Sequence, residues 1–255
     1  MAIVSLKPFK YCMDKRLNKF NHVWHNKPVL RAIYKDYYDR ILNECCAGTI
    51  LEVGGGSGNL KEYSSSVISL DILYAPWLDL LADAHRLPFE ANSFNNIVLF
   101  DVLHHLQQPK VFFSEVARII KPNGRLIILE PGITPISWLF YNFLHQEPVD
   151  MSVDPFVDSQ VMSGDDPYDS NQAIPTLIFG KYKSRLKKDF PRFKIIKNEL
   201  LSLFAYPLSG GFKPWSLIPQ VAVTPLLKLE NKLPSIIFKL MAFRLFVSIE
   251  VKKQD

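Results

Sequence analysis

Hydrophobic and polar positions in the first part of the chain repeat with two periods, one typical of helices and one typical of buried strands. Residues 28–44 place apolar side chains three and four positions apart, which predicts an amphipathic helix with Pro28 in its first turn. Short runs rich in β-branched and aliphatic residues predict strands at 49–53 and 67–71, with a third short strand near 78–82. Helical and strand patterns therefore alternate from the start.

The same alternation continues to residue 130. Residues 96–101 predict a buried strand, residues 108–120 a helix ended by the turn residues 121–124, and residues 125–130 another strand. Strands that alternate with helices are typical of a parallel sheet covered by helices on both faces. The pattern therefore predicts an α/β fold with a doubly wound sheet.

The segment after residue 131 interrupts this alternation with an aromatic-rich stretch and an acidic loop from Asp150 to Asp169. We interpret it as an insertion or lid after the fifth strand, because long segments at strand ends in such sheets often cover the site. The later elements predicted are a helix near 171–188, a strand at 193–204, a proline-interrupted apolar helix at 216–241 and a final strand at 243–252.

We interpret residues 1–255 as a single domain. Its length permits one large hydrophobic core. The parts predicted are an N-terminal helical cap at 1–44, a ligand-binding core at 45–131, the insertion at 132–192 and a C-terminal part of the sheet with an apolar helix at 193–255.

Composition excludes several classes of protein. The chain is 48% hydrophobic and 22% charged, values that exclude a disordered chain, a collagen-like repeat and a coiled coil. Its three cysteines, Cys12, Cys45 and Cys46, form neither a disulfide framework nor a zinc-binding spacing. We therefore expect a reduced, cytoplasmic protein without a metal site. The start of the chain lacks a secretory pattern, and no apolar run reaches the length of a membrane span.

Charge is distributed unevenly along the chain. Residues 1–43 carry 9 basic and 3 acidic side chains, residues 181–255 carry 15 and 5, and the segment between them is acidic. Basic ends are compatible with an anionic partner, or with solvated lysines on helix faces. The apolar and basic segment 213–241 could lie on a membrane surface, or it could be a core helix packed on the sheet.

A glycine-rich loop follows the first strand, with Gly54, Gly56 and Gly58 at alternate positions. Glycine lets the backbone turn sharply and lets a ligand approach closely, and a helix predicted from near Asn59 would add free N–H groups. The spacing does not fit the dinucleotide fingerprint Gly-x-Gly-x-x-Gly, because its last position falls on Asn59 or on Lys61. A nicotinamide or flavin dehydrogenase is therefore disfavoured, while a plain glycine turn stays as the alternative.

Acidic residues accompany this loop. Glu52 would repel a pyrophosphate but suits a cationic ligand, directly or through water. Asp71, at the end of the second strand, could accept both hydroxyls of a ribose, or could cap the following turn. Asp83 beside Ala84 could accept an adenine amino group. Together these carboxylates favour a ligand that contains adenosine and carries positive charge.

The ordered motifs resemble those of the Rossmann-like, class I S-adenosylmethionine-dependent methyltransferases, nearest to the small-molecule branch that includes ubiquinone and menaquinone methyltransferases. The resemblance covers residues 45–135, and beyond them only the final strand pair fits. More loosely, the segments 22–31 and 166–175 look like methyltransferases from bacterial cell-surface polysaccharide genes. The motifs are Glu52-x-Gly54-x-Gly56-x-Gly58, Asp71, Asp83-Ala84-x-x-Leu87-Pro88-Phe89, Phe100 to His105, and Lys121-Pro122-x-Gly124.

The resemblance implies a seven-stranded sheet, mostly parallel with an antiparallel last strand, and S-adenosylmethionine as the cofactor. The glycine loop would wrap the methionine part of the cofactor, and the stretch 100–105 would line its methyl side. The cofactor-binding residues implied are Glu52, Gly54, Gly56, Gly58, Asp71, Ile72, Asp83, Ala84, Phe100 and Asp101.

Methyl transfer requires the acceptor to be held in line with the methyl group, and a hydroxyl acceptor must also lose a proton. The candidate bases are His104 and His105, with Glu130 less favoured. A carbon or nitrogen acceptor need not have a dedicated base. One of the two adjacent histidines could instead pack into the fold.

The sequence leaves the acceptor open. A small-molecule, sugar or lipid-linked acceptor fits best, with peripheral membrane contact through 213–241 as an option. A nucleic-acid methyltransferase is a second hypothesis, disfavoured because the end of the fourth strand lacks an Asn/Asp-Pro-Pro-aromatic motif. A non-catalytic interaction module is a third, and the undamaged glycine loop argues against it.

Overall fold

The fold is organised by one mixed sheet. A computed structural model describes residues 13–144, 147–157 and 166–253. The strands in these ranges are β1 Ile50–Val53, β2 Val67–Asp71, β3 Leu80–Leu81, β4 Phe94–Phe100, β5 Ile120–Pro131, β6 Phe193–Leu201 and β7 Arg244–Val251. They pair in the order β3-β2-β1-β4-β5-β7-β6, with β1 to β5 parallel and β7 antiparallel to both β5 and β6. The expected seven-stranded, mostly parallel sheet is confirmed.

Helices cover both faces of this sheet. Those in the described ranges are α1 Lys15–Asn26, α2 Pro28–Glu44, α3 Pro109–Ile119, α4 Pro135–Leu144, α5 Ile174–Phe179, α6 Lys183–Asp189, α7 Ala205–Ser209, α8 Gln220–Glu230 and α9 Ser235–Met241. On one face α3, α5 and α6 bury side chains that include Phe112, Phe113, Ile174, Ile178 and Leu186. On the other face α2, α7 and α8 bury Leu30, Ile33, Tyr37, Ala205 and Val223. The doubly wound arrangement follows from these two apolar layers.

Elements with a strong local period match their predictions. The helix predicted at 28–44 is α2, and its apolar positions, among them Ile33, Tyr37 and Ile41, are buried. The strand predicted at 67–71 is β2. In both segments the spacing of apolar side chains agrees with the face that the fold buries, so local and tertiary preferences coincide.

The helix expected to begin near Asn59 does not form. The chain makes one 3₁₀ turn at Asn59–Glu62 before it reaches β2. Three serines, residues 64–66, follow this turn, and serine side chains compete with a helix for backbone hydrogen bonds. The glycine loop therefore does not receive the dipole of a long helix.

Two longer helical predictions divide into shorter helices. The helix expected at 171–188 is broken at Gly180, where a Cβ would approach the carbonyl oxygen of Thr176 to 2.6 Å. The apolar segment expected at 216–241 is α8 and α9, separated at Pro234, which cannot continue a helix from α8. The turn predicted at 121–124 lies within β5, where it forms an irregularity in the pairing with β4.

The two C-terminal helices differ in burial. Helix α8 buries Val223 in the core, whereas α9, which packs against α4 and β6, has no fully buried side chain. The interpretation of 213–241 as one core helix is therefore wrong, because the segment forms two helices and only α8 enters the core. Within the described ranges, no helix is long and apolar enough to cross a membrane.

A buried lysine connects the N-terminal helices to a distant loop. Lys27 lies between α1 and α2, and its Nζ is 2.6–2.8 Å from the backbone carbonyl oxygens of Ser209, Gly211, Lys213 and Trp215. Burial lowers the pKa of this ammonium, and the carbonyl oxygens replace the water it has lost. Lys27 therefore holds the loop 209–215 in position.

We expect Lys27→Met to lower the free energy of unfolding by about 2 kcal/mol, because buried carbonyl oxygens lose their donor. Thermal or urea unfolding measures this loss. Lys35→Met, on α2, is the matched control. Lys35 is exposed and pairs with Asp39, so its replacement should leave the melting temperature nearly unchanged. Equal effects of the two substitutions would contradict the role given to Lys27.

Candidate functional site at the carboxyl edge of the sheet

A large cavity lies where β1, β2, β4 and β5 end. Its volume is about 1020 Å³, and its walls include the glycine loop, α1, α2 and the segments 166–168 and 206–215. Pockets for one small ligand are typically about 300–1000 Å³. The cavity is therefore at the upper end of that range. Its position is the one expected for ligands in doubly wound sheets.

The glycine loop forms one side of this cavity. Gly54, Gly56 and Gly58 have φ angles of 73°, 47° and 74°, a region that other residues rarely adopt. A Cβ on Gly54 would collide with Val102 and one on Gly58 with Trp77, whereas a Cβ on Gly56 would enter open space. The first and third glycines therefore permit close packing, and the second keeps room for a ligand.

Asp71 holds the glycine loop through a hydrogen bond. Its Oδ2 accepts a 2.9 Å hydrogen bond from the backbone N–H of Gly56, and its Oδ1 accepts one of the same length from Leu73. The carboxyl group is buried at the cavity wall, and burial raises its pKa. The capping role considered for Asp71 is thus present, and the same carboxyl group also lines the cavity.

Glu52 is a buried carboxyl group under the loop. Ser69 donates a 2.6 Å hydrogen bond from its hydroxyl to Oε2. Burial raises the pKa of Glu52 to about 7, although the Ser69 hydroxyl works against that rise. The side chain lines the cavity, so a cationic ligand would favour its ionised form.

The residues expected to hold an adenine ring line the same cavity as Asp71. Asp83 is exposed and accepts hydrogen bonds from the backbone and ring nitrogens of His85, at 2.8 and 2.7 Å. Ala84 is buried, and Ile72 is exposed enough to cover one face of a flat ring. All of them line the same end of the cavity.

An ion pair and aromatic rings form the opposite end. Phe100 stacks on Tyr34 with ring centroids 5.0 Å apart. Asp101, in the left-handed region with φ 57°, pairs with the buried Arg244 at the start of β7. The Arg244 guanidinium lies 4.3 Å from the ring centroid of Tyr206, and its Nε finds no partner among the described residues. This end of the cavity therefore combines apolar walls with an available donor.

His104 is held by carboxylates on both sides. Its Nδ1 donates to Glu130 at 2.6 Å, and its Nε2 is 3.5 Å from Glu147. Burial alone would lower the pKa of His104, but the two carboxylates raise it to about 10. A histidine that is charged at neutral pH cannot take a proton from a substrate, which argues against His104 as the base.

Glu130 binds the turn that carries the two histidines. Its Oε1 accepts 2.7 Å hydrogen bonds from the backbone N–H groups of Val102 and Leu103. With His104 on its other oxygen, this fully buried carboxylate orients the turn that carries the histidines. Its contacts are those of a positioning residue.

His105 has a different environment. Its Nδ1 donates to the carbonyl oxygen of Asp169 at 3.1 Å, which leaves the lone pair on Nε2. Burial and the neighbouring charge of His104 lower the pKa of His105 to about 4. The ring is therefore neutral at physiological pH, but it is a weak base.

Several site residues escaped the sequence analysis. Asn171 donates its backbone N–H to the carbonyl oxygen of His104 and binds Asp150 with its side-chain amide, while Gln172 binds Glu147. These contacts place the insertion over the histidine turn. The run 166–175 was the available signal for them, but its partners are remote in sequence. Arg244 could have been found as the charged residue that opens the apolar alternation of the last strand.

A second contact joins the insertion to the N-terminal cap. Arg16 on α1 donates two hydrogen bonds of 2.9 Å to the carboxylate of Asp166, and its guanidinium lies 3.8 Å from the ring centroid of Tyr168. All three residues line the cavity. The cap and the insertion therefore meet across its mouth.

Comparisons with known proteins agree with this geometry. A family model described as a methyltransferase domain matches residues 51–128. The demethylmenaquinone methyltransferase of Renibacterium salmoninarum is 30% identical over 112 residues, which cover 37% of this chain and 47% of that protein. The ubiquinone/menaquinone biosynthesis C-methyltransferase UbiE of Coxiella burnetii is 25% identical over 170 residues, covering 51% and 68% of the two chains. The chain thus spans about half the length of the first of these relatives.

Solved structures share the fold. An S-adenosylmethionine-dependent methyltransferase from Archaeoglobus fulgidus superposes with a TM-score of 0.54 at 14% identity, covering 86% of this chain and 94% of that chain. One from Thermotoga maritima gives 0.54 at 12% identity, covering 92% and 96%. Such low identities establish the fold alone.

Glu52 generates a prediction about pH. Without a ligand, Glu52 binds a proton below about pH 7. A bound cation favours the carboxylate form of Glu52, so binding of the cation releases that proton. The affinity for S-adenosylmethionine should therefore rise about tenfold between pH 6 and pH 8 in the wild type. Glu52→Gln should bind more weakly at pH 8 and lose most of this rise. Calorimetric titration measures both, and an unchanged pH dependence in Glu52→Gln would contradict the assignment.

Proposed function

We propose that this chain, whose residues 51–128 form a methyltransferase domain within the fold of class I S-adenosylmethionine-dependent methyltransferases, methylates a lipid-linked, phenol-like small molecule. The observation that carries the proposal is the continuous cavity of about 1020 Å³. Its one end is lined by the glycine loop and acidic residues, and its other end by aromatic rings and Arg244. Such a cavity suits two different ligands that meet in the middle.

The residues at the first end fit S-adenosylmethionine. Gly56 leaves open space beside the backbone, Glu52 suits the positive charge of the ligand, and Asp71 suits ribose hydroxyls. Asp83 and Ala84 offer polar and apolar contacts for adenine. When bound, the cofactor supplies a methyl group on a sulfonium, which is a good leaving group.

The chain's own task is then to orient the acceptor and to exclude water. The second end of the cavity has rings from Tyr34, Phe100 and Tyr206. Polar atoms without partners among the described residues also belong to residues that line the cavity, including the Tyr168 hydroxyl, the Gln172 Oε1 and the Arg244 Nε. Buried polar groups usually find partners, so these atoms favour an acceptor that carries oxygen atoms on a flat apolar body.

The protonation states of His104 and His105 favour an acceptor whose hydroxyl is acidic. His104 keeps its proton at neutral pH, and His105 is a weak base. A base of low pKa removes a proton efficiently only from an acidic group. A phenol-like hydroxyl or a carbon acceptor on an electron-rich ring therefore suits this site better than a sugar hydroxyl. The quinone-pathway names of the relatives point in the same direction.

The two alternatives from the sequence are less favoured. A nucleic-acid strand would need an open groove, whereas Arg16 on α1 and Asp166 in the insertion are joined by an ion pair beside the cavity. An interaction module without catalysis would not need the open space at Gly56 or the buried Glu52 beneath the loop.

A lipid tail on the acceptor is favoured by the surface near the cavity. Helices α4 and α9 pack together and expose large apolar side chains. These are Leu139, Phe143 and Leu144 on α4, and Ile236 and Leu240 on α9. Lys213, which lines the cavity, donates to the carbonyl oxygen of Leu144 at the end of α4. The apolar surface of α4 and α9 therefore adjoins the cavity.

Three lysines lie near this apolar surface in the sequence. Lys228, Lys232 and Lys239 lie on or beside α8 and α9, within the basic C-terminal third of the chain. Lysines around exposed apolar side chains favour binding to an anionic membrane. A membrane-bound acceptor would then enter the cavity from the bilayer.

Activity is tested with methyl-deuterated S-adenosylmethionine and a panel of demethylated isoprenoid quinols, nucleotide sugars and RNA. We expect mass spectrometry to find the labelled methyl group on the quinol class. Gly56→Arg is the control, since the new side chain fills the cofactor space and should abolish transfer. Because φ 47° strains any residue other than glycine, circular dichroism verifies that the variant is folded. Transfer to sugars or RNA alone, or none by a folded chain that binds the cofactor, would overturn the proposed acceptor class.

Membrane contact is tested by cosedimentation with vesicles. We expect binding to vesicles that contain phosphatidylglycerol, weaker binding to phosphatidylcholine alone, and loss of at least about tenfold in affinity for Phe143→Asp combined with Leu240→Asp. Ile68→Asp is the matched control, because Ile68 is an exposed apolar residue on β2, away from α9. Equal binding by both variants would contradict membrane contact through α4 and α9.

A further inference from the structure

Two histidines and a carboxylate converge on one point of the cavity wall. Ligand atoms of His104, His105 and Glu147 all lie within 4.8 Å of one another, and Nε2 of His104 is 3.5 Å from Glu147. Around a tetrahedral ion with bonds of about 2.1 Å, ligand atoms are about 3.4 Å apart. The three side chains therefore need only a small contraction to hold one ion.

The outer contacts of the histidines are those of metal ligands. Nδ1 of His104 donates to the carboxylate of Glu130, and Nδ1 of His105 donates to the carbonyl oxygen of Asp169. Metal-bound histidines usually donate their second ring nitrogen to a carboxylate or a carbonyl oxygen, which fixes the tautomer and the ring orientation. Nε2 is therefore the nitrogen of each ring that an ion would bind. On His105 it carries a lone pair, and on His104 the ion would displace the proton that Nε2 directs at Glu147.

Glu147, the third side chain of the group, is also held by a hydrogen bond. The side-chain amide of Gln172 donates to the carboxylate of Glu147. A second possible group, formed by Asp101, His104 and Glu130, is less suitable. Glu130 already accepts three hydrogen bonds, and Asp101 is paired with Arg244.

We propose that His104, His105 and Glu147 bind one divalent first-row transition-metal ion of the Zn²⁺ class, with an open coordination position toward the cavity. Two imidazoles and one carboxylate form a donor set typical of catalytic zinc and non-haem iron sites. The cysteine spacing that argued against a zinc site does not bear on these ligands. Ion binding goes beyond the proposed function, and only the role of the open position, which would take an acceptor oxygen, rests on it.

The ring centroids of His104 and His105 are 4.1 Å apart, so both rings border the same point of the cavity wall. A bound cation would lower the pKa of a coordinated acceptor hydroxyl, which would then lose its proton to solvent without a positioned base.

The test is titration of the purified full-length chain with Co²⁺ as a spectroscopic probe. We expect visible d–d absorption bands of a four- or five-coordinate ion, saturation at one ion per chain, and loss of the bands when Zn²⁺ is added. His105→Ala and Glu147→Ala should each weaken Co²⁺ binding by at least about tenfold, and Glu130→Gln by about 10- to 100-fold through the orientation of His104.

His85→Ala is the matched control, because His85 also pairs with a carboxylate on the cavity wall, but that carboxylate is Asp83 alone and the Nε2 of His85 accepts from the backbone N–H of Gln108. It should bind Co²⁺ as the wild type does. Circular dichroism and S-adenosylmethionine binding verify that each variant is folded. Wild-type chain that binds S-adenosylmethionine but gives no Co²⁺ bands would overturn the metal site and leave the proposed function intact. Bands that persist in the double variant His105→Ala/Glu147→Ala would place the ion elsewhere and also overturn it.

Discussion

The hydrogen bonds accepted by the Glu130 carboxylate hold the centre of the site in place. A fully buried charge must be paired and hydrogen-bonded, and this one accepts the N–H groups of Val102 and Leu103 and the ring N–H of His104. Because Glu130 is near the end of β5 and the turn follows β4, one side chain joins the exits of two neighbouring strands. The turn is held rigidly as a result, and both histidines face the cavity in a defined orientation.

The remaining walls of the cavity are held by contacts between segments that are remote in sequence. Lys27 binds the carbonyl oxygens of the loop 209–215, and Arg16 joins the N-terminal cap to Asp166 in the insertion. In each case a cation of the N-terminal cap organises a segment that has little regular structure of its own. The cap therefore does more than cover the sheet: it shapes the half of the cavity assigned to the acceptor.

The two ends of the cavity divide the chemistry between them. The cofactor end is made of backbone and carboxylates, which suit a polar, positively charged ligand. The acceptor end has aromatic walls with few polar atoms, and an apolar surface on α4 and α9 adjoins it. Between them lie His104 and His105, whose pKa values move in opposite directions. Two carboxylates raise the pKa of His104, whereas burial and the charge of His104 lower the pKa of His105.

The sequence by itself predicted the sheet, its helical layers and the glycine loop at the cavity. Glycine at alternate positions permits positive φ, and apolar periodicity selects the buried face of β2 or α2, so both signals are local. Only the tertiary structure decided the rest. Arg244 lies 143 residues from Asp101, and the protonation of His104 depends on Glu130 and Glu147, which reach it from other segments. Such charges interact through space, and their distances do not exist until the chain has folded.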